Sequence, residues 1–178
     1  MSDQQPIDIT GFQLHPHIVG GDEEDTALIA KEAQRAMRFV QGFRWAPPIE
    51  RLYLAWGVPG ILCLFLVKFG RPIAGNPDDE LWVVVGDLPT AYFVTEGNPD
   101  PHAALEAYCW LMENWADAVL AGEDLSQQYP VGVEPTEEHA KMLKSRLGFI
   151  DEKFLPQSHR WIGGVDREAG MHPEEEDQ

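Results

Sequence analysis

Three apolar runs set close together in the middle of the chain constrain its fold more than any other feature. Leu52-Tyr53-Leu54-Ala55-Trp56 stops at Gly57-Val58-Pro59-Gly60, and Ile61 to Phe69 follows almost without a polar residue. Leu81-Trp82-Val83-Val84-Val85 stops at Gly86-Asp87-Leu88-Pro89. β-Branched and aromatic residues suit a pleated, packed surface, and Gly and Pro punctuate it. The links are too short for crossover helices, so the runs are expected to pair as an antiparallel meander with 61–69 at its centre. Ala91-Tyr92-Phe93-Val94 supplies a short fourth strand at an edge.

Helical patterns flank this block. From about Asp22 to Gln41, the residues Leu28, Ile29, Ala33, Ala36, Met37 and Val40 recur at helical spacing. Acidic residues open that helix, as its dipole favours, and Gly42 closes it. Lys31, Arg35 and Arg38 form its opposite, basic face. Asp100 followed by Pro101 starts a second helix that runs to Ala121 before Gly122, and Thr136 caps a third that ends near Leu155-Pro156. Glu137 precedes Lys141 in the favourable i,i+4 order. The expected class is α+β: an antiparallel three- to four-stranded sheet with helices packed on one face, in the order α-β-β-β-(β)-α-α. Residues 1–21 read as an arm docked loosely or not at all, 22–162 as a single domain, and 163–178 as a disordered acidic tail.

Charge is distributed very unevenly. Between Arg71 and Lys141 lie 69 residues with fourteen Asp and Glu and no Lys or Arg, out of a formal net charge of −17. Such a block repels nucleic acid and anionic lipid and attracts cations or basic proteins. No nucleic acid and no membrane is therefore expected among the partners. The start lacks a basic, apolar leader and the longest apolar run is too short to cross a bilayer, so the expected location is cytoplasmic. Cys63 and Cys109 sit among apolar neighbours and read as buried thiols.

The chemistry-bearing residues are sparse. Asp87, after Gly86 at a strand end, could be a site carboxylate, or simply a turn residue that caps local amides. Asp78-Asp79-Glu80 lacks the spacing of a calcium loop, and His15, His17, His102, His139 and His159 are scattered, without a zinc pattern. No phosphate-binding glycine loop and no nucleophile elbow occurs. No catalytic residue, metal or cofactor is assigned.

The helix 101–121 says more. Leu105, Tyr108, Met112, Trp115 and Val119 form its core stripe. Glu106, Trp110, Glu113 and Asp117 share a second face that sets three carboxylates around one indole, with no base. A large aromatic ringed by charge is the pattern of a partner-binding hot spot. The alternative is that Trp110 folds under the C-terminal segment around Trp161.

Trp82-Val83-Val84-Val85-Gly86-Asp87-Leu88-Pro89-Thr90 resembles the signature of a family of small uncharacterised bacterial proteins. Phe43-Arg44-Trp45-Ala46-Pro47-Pro48 is similar to that family's entry into its sheet, and the likeness spans residues 22–155. It implies a bacterial cytosolic α+β domain and no particular activity. The leading expectation is a non-enzymatic acidic binding protein facing a basic protein partner, most concretely an immunity or antitoxin-type protein masking a toxin. Its expected contact residues are Asp87, Glu106, Trp110, Glu113 and Asp117. The alternatives are a small hydrolase or metal-assisted enzyme centred on Asp87, and an adaptor whose acidity serves solubility.

Overall fold

Each expected strand forms close to its sequence limits, and a further one joins at an edge. The computed structural model describes residues 5–75, 78–158, 161–162 and 165–166. Its main sheet holds β1 (Gln13–Leu14), β2 (Ile49–Val58), β3 (Leu62–Phe69), β4 (Glu80–Gly86) and β5 (Ala91–Val94), in that spatial order. Every neighbouring pair is antiparallel, with Phe65 of β3 opposite Leu54 on one side and Val83 on the other. The α+β class and the antiparallel meander are as expected.

The layering differs from the expectation of helices on one face. Successive side chains of β3 point to opposite sides, and both sets are buried. Cys63, Phe65, Val67 and Phe69 pack with Ile29, Ala33, Ala36 and Val40 of α1 (Glu23–Gln41). Leu62, Leu64 and Leu66 pack instead with Leu105, Tyr108, Met112 and Trp115 of α2 (Pro101–Ala121) and with Leu143, Leu147 and Ile150 of α3 (Glu137–Lys153). A strand that is apolar from Leu62 through Val67 must be covered on both faces, so the helices divide into two layers around the sheet. Trp82 lies fully buried in the α2–α3 layer, and its indole N–H donates to the Asn98 carbonyl at 2.9 Å.

The described part of the 1–21 segment is docked rather than loose. Gln13 pairs with Leu54, its side chain bonds the Val19 amide and carbonyl at 2.8 and 3.2 Å, and Ile7 and Ile18 are buried. A two-residue strand and isolated isoleucines carry no period, which is why the pattern misses them. A four-residue α4 (Leu155–Ser158) follows α3, and β6 (Trp161–Ile162) pairs with β7 (Val165–Asp166). The rest of the expected 163–178 tail lies outside the described residues.

The helix ends follow their caps. Asp22, Asp100 and Thr136 accept hydrogen bonds from the amides of Asp25, Ala103 and His139. Gly122 closes α2 in the left-handed conformation. At the far edge of the sheet, the Tyr129 hydroxyl accepts from the Tyr92 amide at 2.9 Å and donates to the Tyr92 carbonyl at 2.8 Å. The Asn98 side-chain amide donates to the Val94 carbonyl at 3.0 Å.

Candidate functional site

The expected contact residues fall into two places. Glu106, Trp110 and Glu113 line one shallow groove of about 500 Å³, together with Asp151 from α3. Trp110 is 65% exposed at that groove, although it stands on a helix whose opposite face is wholly buried. The strand β6 around Trp161 runs close to α2, and the Trp161 side chain, on which the alternative packing of Trp110 turns, lies outside the described residues. Asp117 continues the helix face but is ion-paired to Lys144 of α3. Glu106 lies 3.6 Å from the His102 ring nitrogen one turn earlier.

The groove has a strongly negative interior. Cys109 sits at its base, and its thiol is pushed up to about 12, first by burial and then by the charges of Asp151, Glu113 and Glu106. Three carboxylates from two helices thus add to burial in disfavouring the Cys109 thiolate. Asp151 was not anticipated, because it arrives from a different helix and nothing in the spacing of α2 points to it.

Asp87 lies elsewhere, at the end of β4, and there it joins the two helical layers. Gly86 has φ of +148°, and a Cβ at that position would run into the Ile61 carbonyl oxygen and Leu62 Cα. The Asp87 amide donates to that same Ile61 carbonyl at 2.9 Å, so the turn continues the sheet's hydrogen bonding. The next two carbonyls are each held by an arginine. Arg35 of α1 donates to Gly86 O at 2.8 Å, and Arg146 of α3 donates to Asp87 O at 2.6 Å. Arg146 also meets the Asp87 carboxylate at 2.5 Å. One guanidinium comes from each side of the sheet, and the Gly-Asp step is the point where they converge.

This arrangement ties Asp87 to a structural partner. His139 lines the same small cleft as Asp87 and Arg146, but its Nδ1 bonds the Glu134 carbonyl at 2.9 Å. Acid–base hydrolysis centred on Asp87 needs a second carboxylate or a histidine within reach: no second carboxylate lines that cleft, whereas His139 does, beside an Asp87 whose carboxylate is paired to Arg146. Neither arginine was anticipated as a site residue. Arg35 stands one helical turn before Phe39, beside the core stripe of α1, and that pairing is the signal that could have revealed it.

Among the described residues no group of three or more His, Cys, Asp or Glu side chains could hold a metal ion. Among them, too, no helix is long and apolar enough to cross a membrane. Comparison with protein-family models, with curated proteins and with solved structures returned no match.

Proposed function

We propose that the chain is a non-enzymatic binding protein that offers the Trp110 groove to a basic segment of a partner protein. An immunity or antitoxin-type protein covering a basic toxin is the most concrete form of this reading. The observation that carries it is Trp110 itself, 65% exposed on the outward face of a helix whose opposite face is packed into the core. Around it Glu106, Glu113 and Asp151 line the groove. An indole face ringed by carboxylates suits an arginine or lysine side chain, by cation–π contact and by charge. Asp117 serves this surface less than Glu106 and Glu113, since Lys144 already answers its charge. Asp87 stands outside the groove and is left to its tie with Arg146.

The test is a capture from the native cell in parallel with the unaltered chain and with a Glu106→Lys/Glu113→Lys variant, followed by association kinetics on any basic protein retained by the first alone. The expected result is an association rate about tenfold lower for the variant at low ionic strength, with the gap closing as salt rises. A captured partner whose association rate ignores both the charge reversal and the salt overturns the reading.

A further inference from the structure

A second concavity, away from Trp110, has the walls of a small-molecule site. It encloses about 760 Å³ beside the Gly86–Thr90 turn. That volume falls within the roughly 300–1,000 Å³ typical of ligand pockets. Its aromatic lining is Phe39 and Phe43 from α1, Tyr92 from β5, and Tyr129. All four rings are only half-buried, although Phe43 and Tyr92 meet edge to face at 5.1 Å and Phe39 and Tyr92 at 6.2 Å. The rings pack on one another, with Trp45, outside the lining, stacked on Phe43 at 5.3 Å, and all four remain partly exposed beside the cleft.

The charge inside the cleft is asymmetric. Asp87 borders it, but Arg146 holds that carboxylate from the opposite layer. Arg35 is the cation of the lining, with its side chain 46% exposed. It is anchored through Nη1 to the Gly86 carbonyl at 2.8 Å and lies 3.7 Å from Glu32. A guanidinium carries five N–H donors in a fixed fork, so this anchoring orients Arg35 and leaves donors over. Glu32 offsets part of its charge, which suits a single-charged ligand better than a phosphate dianion.

We propose that this cleft binds a small planar aromatic carboxylate, with its ring against Phe39, Phe43 and Tyr92 and its acid group on Arg35. Stacking and edge contacts hold the ring, and a charge-assisted hydrogen bond fixes the carboxylate. The guanidinium needs no rearrangement to accept it, because Gly86 already fixes its place.

The test uses 1-naphthoate and its neutral counterpart 1-naphthamide as probes, titrated into the full isotope-labelled chain and followed by amide NMR shifts. The expected result is saturable movement of the Leu88, Thr90, Tyr92 and Gly132 amides, with naphthoate bound about tenfold more tightly than naphthamide. Arg35→Gln is expected to abolish that preference while leaving weak binding of both probes. Arg35→Lys keeps the charge and is expected to retain part of the preference. Absence of saturable shifts, equal affinity for the two probes on the unaltered chain, or a preference that survives Arg35→Gln would each overturn the proposal. The comparison on the unaltered chain stands even where a variant fails to fold.

Discussion

The Trp110 groove and the Gly86–Asp87 turn use charge in opposite ways. At the groove, three carboxylates from two helices crowd a buried thiol, and the indole beside them faces solvent. At the turn, two of the chain's few arginines are spent on adjacent backbone carbonyls, one from each helical layer. The first arrangement sets acid beside acid around a solvent-facing indole and contributes little to holding the fold. The second answers acid with base and locks β4 to α1 and α3. An excess of acid over a long stretch thus does not mark one acidic surface: it is neutralised where the layers must be joined and left open where they need not be.

The contrast is easiest to break at Gly86. Gly86→Ala is expected to lower the unfolding free energy by about 3 kcal/mol, measured by urea denaturation, because both the backbone conformation and the Ile61 carbonyl exclude a Cβ. A loss under ~1 kcal/mol would show that the turn is not held as tightly as its geometry implies. Arg146→Met removes the α3 half of the clasp and is expected to cost about 1 kcal/mol, since the hydrogen bonds it breaks are near the surface. On the other side of the comparison, Trp110→Ser is expected to change the same midpoint by less than about 0.5 kcal/mol, as an exposed position does. A large loss there would mean that the indole is covered in solution.

The last prediction leaves stability aside and sharpens the electrostatic half. Glu106→Lys/Glu113→Lys removes two of the three charges that disfavour the Cys109 thiolate. Its pKa should then fall from about 12, each unit of fall giving about tenfold more thiolate at neutral pH. Alkylation by iodoacetamide, read by mass spectrometry, should quicken at Cys109 and stay slow at Cys63. The Cys63 thiol is raised to about 12 chiefly by burial, with Glu32 adding to it, and the groove carboxylates are not among its causes. Equal rates before and after the reversal would remove the case that these carboxylates disfavour the Cys109 thiolate.

Much of this was legible because it is local. Asp100 and Thr136 announce their helices through capping chemistry, and Glu137 finds Lys141 at 2.5 Å because four residues on a helix bring them together. The four strands of the meander follow from runs and breaks that each span only a few residues. What stayed hidden joins distant parts of the chain. Arg35 reaches Gly86 and Arg146 reaches Asp87 across the layers, and Asp151 meets Glu106 and Glu113 only because α3 lies along α2. The second helical layer was readable in principle, since β3 is apolar on both of its faces.

Tyr129 carries a consequence beyond its own hydrogen bonds. A sheet of this kind has an outermost strand whose outward amides and carbonyls invite another chain to add on. Here a phenol hydroxyl occupies the donor and acceptor of Tyr92 at once, and the Asn98 amide takes the carbonyl of Val94. Two side chains fill the place of a sixth strand. Addition of a strand at the β5 edge is thereby opposed by a ring and an amide, with no charged side chain needed at either place.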